Sequence, residues 1–194
     1  MKKLIIAATT LLISTNALSG PSVDNTYEQL VDKQGNITLP ADYQKNWAFL
    51  GSFFVENAPA AGMTANSEPS FDVHTVYTQP NAAEYYRKHG KFPDGAVLIK
   101  DVNATKKEPL TTGLVRYEDA PKVTFAMVKN TEGRFEENKA WAEGWGWALF
   151  TPDSPKSQTT DWQGEGFNNC FACHVPVKDQ DWVYTQGYKT VLGQ

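Results

Sequence analysis

Apolar and polar residues alternate with a period of two over much of the chain between residues 47 and 150, and this pattern predicts β-strands. In the clearest segment, residues 71–78, Asp72, His74 and Val76 fall on one face and Phe71 and Tyr77 on the other. The predicted strands cover residues 47–55, 71–78, 96–102, 115–118, 123–129 and 145–150. We expect these short strands to form an antiparallel sheet.

Helix signals are fewer. Pro80 suits the first turn of a helix and Gly90 suits its end, so a helix is predicted between them with His89 in its last turn. A second helix is predicted over residues 179–192, although Gly187 weakens it. The predicted loops cover residues 57–70, 103–113 and 151–169. The expected fold class is α+β, mainly an antiparallel β-sheet with a few short helices.

The N-terminus has the pattern of a secretory signal. Lys2 and Lys3 precede an apolar run over residues 4–13, and small residues follow before a cleavage point at Gly20. The run is too short to cross a bilayer of about 30 Å as a helix. We expect residues 1–19 to be removed and residues 20–194 to form one domain in the periplasm, with no membrane span. An uncleaved anchor is the alternative.

Composition narrows the class of partner. The 194-residue chain has 41% hydrophobic residues and a net charge of −4, and loss of Lys2 and Lys3 would make it more negative. An acidic exported domain is unsuited to nucleic acids or anionic membranes. Aromatic residues make up 12% of the chain, which suits either a flat ligand or an aromatic core.

The two cysteines stand in the sequence Cys170-Phe171-Ala172-Cys173-His174, the C-x-x-C-H pattern of c-type haem attachment. Thiols one helical turn apart can each bond one vinyl group of a porphyrin, and the adjoining histidine can then ligate iron. A disulfide would close a very small loop, a thioredoxin-type pair should follow an early strand, and a bare metal site would need more ligands nearby. The pattern therefore predicts haem c, with His174 as the metal ligand.

The axial ligands indicate the type of cytochrome. No methionine or histidine follows His174, so a sixth ligand would have to come from Met63, Met127, His74 or His89. Met127 has a core pattern, whereas Met63 lies in a loop and could approach the iron. We therefore expect five-coordinate iron with an open side that binds small molecules.

The sequence resembles the cytochrome P-460 family, which includes cytochrome c′-beta. The resemblance covers about residues 35–192. It rests on residues 39–43, 73–77, 90–100, 147–150, 152–155 and 181–185. The most specific part is the sequence Phe-Pro-Asp-Gly at residues 92–95 together with Lys100 in the strand that follows. It implies a homodimer of mainly antiparallel β-structure with one five-coordinate haem per chain.

Lys100 matches the lysine that forms an additional covalent bond to the porphyrin in cytochrome P-460. The neighbouring residues are compatible with a bond from Lys100 to the porphyrin. Lys100 is the only charged residue on a strand face that it shares with the apolar residues Ala96, Leu98 and Val102. A lysine that extends to the sheet edge is the alternative.

The distal residues differ from the family pattern. His74 replaces an arginine, and Phe125 replaces a carboxylate in a gapless local alignment. An imidazole can hydrogen-bond a bound ligand or transfer protons, whereas an aromatic ring over the iron would favour uncharged diatomic molecules. The loss of a carboxylate weakens the expectation of hydroxylamine oxidation, which releases protons. The remaining candidates for a base are Glu136, Glu143 and Glu165.

Two functions follow from the resemblance. One is a cytochrome that binds hydroxylamine or nitric oxide and oxidises hydroxylamine, with Lys100 and His74 as catalytic residues and a periplasmic protein as electron acceptor. The other is a cytochrome c′-beta-like protein that binds nitric oxide without turnover. A plain electron carrier with Met63 or His74 as sixth ligand is a third possibility.

Overall fold

The computed structural model describes residues 23–57, 69–154 and 165–193. The predicted signal sequence, residues 1–19, and the candidate ligand Met63 lie outside the described residues.

A six-stranded antiparallel sheet forms the centre of the protein, as the alternation predicts. Its strand order is β1-β2-β3-β4-β6-β5. The strands are β1 (Ala48–Glu56), β2 (Phe71–Thr78), β3 (Val97–Leu110), β4 (Gly113–Lys129), β5 (Trp141–Ala142) and β6 (Trp145–Phe150). The bounds of β2 and β6 are those that the sequence predicts.

The centre of the sheet differs from the prediction in one respect. The loop predicted over residues 103–113 is wrong, because β3 continues to Leu110 and β4 begins at Gly113. The two strands predicted over 115–118 and 123–129 are one strand, β4. Strand β2 pairs with β3 only as far as Ala104, so the outer parts of β3 and β4 form a two-stranded ribbon. Both faces of this ribbon are largely exposed, and it therefore lacks the apolar alternation that marks a buried strand.

The short helices lie around the sheet. They are α1 (Thr26–Leu30), α2 (Tyr43–Asn46), α3 (Pro80–His89), α4 (Glu165–His174) and α5 (Lys189–Leu192), with 3-10 turns at Val23–Asn25 and Val175–Gln180. Helix α3 confirms the predicted bounds, and Gly90 ends it in a left-handed conformation with its N–H bonded to the Tyr86 carbonyl.

The C-terminal helix predicted over residues 179–192 is wrong apart from α5. Asp181 and Trp182 have φ angles of 58° and 64°, and two successive left-handed residues interrupt a right-handed helix. The observed helix, α4, begins earlier in the chain: its first five residues fall in the segment predicted as a loop over 151–169, and it continues to His174.

Two apolar clusters cover opposite faces of the sheet. One contains Leu98 and Met127 and packs against α3 and the C-terminal segment. The other contains Ile99 and Val128 and packs against the chain around α1 and α2. No helix in the described ranges is long and apolar enough to cross a membrane.

Candidate functional site

A cavity of about 710 Å³ opens between the C-terminal segment and the sheet face that carries Leu98 and Met127. The strands contribute Phe53, His74, Val76, Lys100, Phe125 and Trp147 to its wall, and the C-terminal segment contributes Cys170, Cys173, His174, Val183, Tyr184 and Tyr188. The walls are mainly apolar. The six residues predicted for the site, His74, Lys100, Phe125, Cys170, Cys173 and His174, therefore line a single cavity.

Helix α4 presents the two thiols one turn apart, and both cysteines are free. Cys170 is half-buried and Cys173 is exposed. Burial raises the pKa of the Cys170 thiol to about 11, although the charge of Lys100 opposes this shift. At neutral pH the Cys170 side chain is thus a thiol.

His174 is the last residue of α4 and is held from several sides. Its Nδ1 atom lies 2.6 Å from the Trp182 carbonyl oxygen, so the Nδ1–H donates and Nε2 keeps its lone pair. The imidazole packs edge-on against Trp147, with ring centroids 4.9 Å apart, and against Tyr184 at 5.6 Å. Burial lowers the pKa of His174 and the charge of Lys100 lowers it further, against the effect of the Trp182 hydrogen bond. A neutral, oriented imidazole is the form that binds metals.

Lys100 lies in the middle of β3, between Val76 of β2 and Phe125 of β4. Its Nζ atom is 4.6 Å from the centre of the Phe125 ring. Burial lowers the pKa of Lys100, and the negative charges that Cys170 and Cys173 carry as thiolates would oppose this shift. Within the described residues no ion pair joins Lys100 to a carboxylate.

His74 faces the same cavity from β2, where its backbone pairs with Phe53 and Val102. Burial lowers its pKa, and the positive charges of Lys100 and Lys122 act in the same direction. The carboxylate of Asp72 opposes them. His74 is therefore a neutral imidazole at neutral pH, able to donate one hydrogen bond and accept another.

Other residues considered from the sequence lie elsewhere. His89 is exposed at the end of α3 and stacks on Tyr85, whereas Met127 is buried and contributes to the cavity wall. Glu136 and Glu143 are exposed, and the side chain of Glu165 lies outside the described residues. The cavity wall contains no carboxylate among the residues that the structure describes.

Sequence reasoning missed three contacts around His174. Trp147 had a detectable signal, because it alternates with Trp145 along β6, but nothing in the sequence marked it as a neighbour of His174. The Trp182 carbonyl and the Tyr184 hydroxyl, which donates to the Cys173 carbonyl at 2.6 Å, depend on the fold of the C-terminal segment.

The residues of the cavity fit a c-type haem. Two free thiols, a neutral histidine and apolar walls are the groups that such a cofactor requires. The indole N–H of Trp147 is buried and has no hydrogen-bond partner in the described part of the protein, which suits a ligand with acceptor groups such as the haem propionates. Within the ranges that the structure describes, no three His, Cys, Asp or Glu side chains lie close enough together to hold a bare metal ion.

The protein-family model described as Cytochrome P460 matches residues 40–185. The match includes every residue of the cavity named above except Tyr188. A search of curated proteins finds no relative.

Proposed function

The chain belongs to the cytochrome P460 family, whose cofactor is a c-type haem, and on this premise we propose that Cys170, Cys173 and His174 hold one haem per chain. When bound, the haem supplies an iron that takes up small ligands and exchanges single electrons. The chain supplies two thioether bonds through α4 and a neutral imidazole whose tautomer is fixed by the Trp182 carbonyl. We further propose that residues 1–19 direct export to the periplasm.

The proposed function is the binding of small nitrogen compounds, nitric oxide and hydroxylamine, at an open iron position. The observation that carries it is the cavity wall, which combines apolar side chains such as Phe53, Val76 and Phe125 with the neutral imidazole of His74. An apolar wall excludes water and favours uncharged ligands. His74 can then hydrogen-bond a ligand atom without adding a charge.

Oxidation of hydroxylamine, with transfer of electrons to a periplasmic acceptor, is the second candidate. It is supported by the lowered pKa of His74, because a neutral imidazole can accept a proton from a bound ligand. A covalent bond from Lys100 to the porphyrin edge is part of this candidate. The lack of a carboxylate in the described cavity wall favours the first candidate over this one.

One set of measurements on the purified holoprotein tests these proposals. The peptide mass should rise by one haem, and the Cys170→Ala, Cys173→Ala double variant should lose it. A five-coordinate, high-spin resting spectrum supports an open position, whereas a six-coordinate, low-spin spectrum would mean a plain electron carrier. His174→Ala should change the spectrum, and a spectrum like that of the wild type would falsify the assigned ligand.

The two candidates differ in turnover and in the porphyrin bond. Hydroxylamine-dependent reduction of an added electron acceptor would establish the oxidation of hydroxylamine. Nitric oxide binding without such reduction would establish a protein that only binds small ligands. A red-shifted ferrous Soret band that becomes ordinary in Lys100→Arg would support the lysine bond, and an unmodified wild-type spectrum would exclude it. A homodimer, also proposed, predicts twice the chain mass by light scattering.

A further inference from the structure

The chain takes an unusual path directly after the 3-10 turn Val175–Gln180. Asp181 and Trp182 both adopt left-handed backbone conformations, with φ angles of 58° and 64°, and neither residue is glycine. A left-handed residue with a Cβ atom costs of order 1 kcal/mol, and tryptophan is among the residues that rarely adopt it. Such a conformation persists only where surrounding contacts hold it.

The contacts that hold this turn converge on Asp181. Its carboxylate forms an ion pair with Lys129, the last residue of β4, and accepts a hydrogen bond of 3.0 Å from the Phe92 backbone N–H. Its carbonyl accepts a hydrogen bond of 3.1 Å from the Trp145 indole. The ion pair is well shielded, with side-chain exposures of 11% for Lys129 and 15% for Asp181, so removal of either partner would leave the other charge buried and unpaired.

The next residue makes the contact to the site. The Trp182 carbonyl accepts the Nδ1–H of His174 at 2.6 Å, while the Trp182 N–H donates to the Val177 carbonyl at 3.1 Å. The Trp182 ring stacks on Phe171, within the C-x-x-C-H segment, with centroids 4.6 Å apart. The direction of this carbonyl follows from the left-handed turn, and the turn is anchored to the sheet through Asp181.

We propose that the Lys129–Asp181 ion pair positions the iron ligand: it holds the 181–182 turn so that the Trp182 carbonyl fixes the tautomer and orientation of His174. This inference rests on the proposed function, because it takes His174 as the axial ligand. A hydrogen bond at the second ring nitrogen makes a ligating histidine a stronger electron donor to the metal. The pair therefore strengthens the iron–histidine bond and lowers the reduction potential, although neither side chain touches the imidazole.

The test compares variants of the holoprotein that remove the pair from either side. Asp181→Asn removes the charge but keeps a residue that tolerates the left-handed conformation, and Lys129→Met removes the partner with little loss of volume. In both variants we expect the iron–histidine stretching band of the ferrous protein to move to lower frequency and the midpoint potential to rise. The double variant should show the shift of one single variant, since both remove the same interaction.

Lys88→Met is the matched control, because it removes an exposed ion pair with Glu84 on α3. It should leave the band and the potential unchanged. Wild-type frequency and potential in both Asp181→Asn and Lys129→Met would overturn the positioning role while leaving the haem assignment intact. If the wild-type protein carried no covalent haem or showed no iron–histidine band, the proposed function itself would fail, and this inference with it.

Discussion

Lys100 and His74 are basic side chains in an apolar cavity, and burial lowers the pKa of both. The positive charge of Lys100 also lowers the pKa of His74. At the scale of single residues, the site therefore favours neutral bases over fixed charges. Such a cavity binds uncharged ligands more readily than ions.

Phe125 is a position at which a proton acceptor can be introduced into the cavity wall. Its backbone pairs with Lys100 and its ring lies 4.6 Å from the Lys100 Nζ atom, so Phe125→Glu would introduce a carboxylate beside the amine. The carboxylate would provide a proton acceptor, and we expect hydroxylamine-dependent reduction of an added acceptor to increase by about 10²-fold, the lower end for general base catalysis. Initial rates with equal amounts of holoprotein measure this effect.

Phe125→Leu is the control, because it opens the cavity without adding a base. It should leave the rate of hydroxylamine oxidation near that of the wild type. An equal increase in Phe125→Leu and Phe125→Glu would show that access, and not proton transfer, limits the reaction.

The sequence predicted the site residues that belong to the C-x-x-C-H motif or that match positions of the family it resembles. The thiols and His174 follow from the C-x-x-C-H spacing, His74 and Lys100 follow from the resemblance to the family, and the structure places all of them on the cavity wall. The Trp182 carbonyl could not be predicted in this way. Its contact with His174 depends on two left-handed residues, and neither Asp181 nor Trp182 is of a type that signals such a turn as strongly as glycine would.

At the scale of elements, prediction succeeded for the buried strands and for helix α3, and it failed for the exposed ribbon and for the C-terminal segment. Strands β2 and β6 lie inside the sheet and show clear patterns, so their bounds are correct. The β3–β4 ribbon is exposed and contains Lys106, Lys107 and Pro109, which are typical of loops. Its strands are defined by pairing to each other, which periodicity does not detect.

The C-terminal segment is likewise defined by contacts. Gly51 of β1 lies so close to this segment that a Cβ atom there would be 2.5 Å from the Gly187 carbonyl oxygen and 3.1 Å from the Tyr188 ring. A Cβ on Gly187 would in turn meet the Phe53 ring at 2.7 Å. The paired glycines allow the backbones to pack directly, which brings Tyr188 and Val183 to the cavity.

Gly51→Ala should therefore separate β1 from the C-terminal segment. Because the obstacle is a backbone carbonyl, the clash cannot be relieved by a side-chain rotation, and we expect a loss of about 1–3 kcal/mol in the free energy of unfolding. Urea denaturation of the holoprotein measures it. Ser52→Ala, at the exposed neighbouring position, should cost less than about 1 kcal/mol. Equal stability of the two variants would argue against a tight contact at Gly51.

At the scale of the whole molecule, the two faces of the sheet are stabilised differently. One face opens into the cavity. The other is closed, and the buried carboxylate of Asp101, next to Lys100 in the chain, accepts hydrogen bonds there from Tyr43, Gln44 and Thr124 at 2.7–2.8 Å. Strand β3 is thus fixed from the side away from the cavity, which lets Lys100 face an open volume without disturbing the register of the sheet.

A second carboxylate, that of Asp94, links distant parts of the chain. It accepts hydrogen bonds from the Tyr27 hydroxyl of α1 and from the Thr131 N–H and hydroxyl, and it forms an ion pair of 2.9 Å with Arg134. Partial burial raises the pKa of Asp94, but the hydrogen bonds from Arg134 and Thr131 outweigh it, so the pKa lies below the ordinary 3.8.

This shift predicts an acid-dependent loss of stability. As the pH falls, Asp94 is protonated first in the unfolded chain, near its ordinary pKa of 3.8, and only at lower pH in the native protein. The stabilisation by the Asp94 carboxylate is therefore complete above about pH 3.8, and it is lost as the pH falls through the native pKa. Asp94→Asn should therefore be less stable than the wild type at pH 7, and the difference should shrink as the pH falls below 3.8. Urea denaturation across this range measures the difference, with Asp119→Asn, an exposed position, as control. A difference that stayed constant with pH would show that Asp94 stabilises the protein by packing alone.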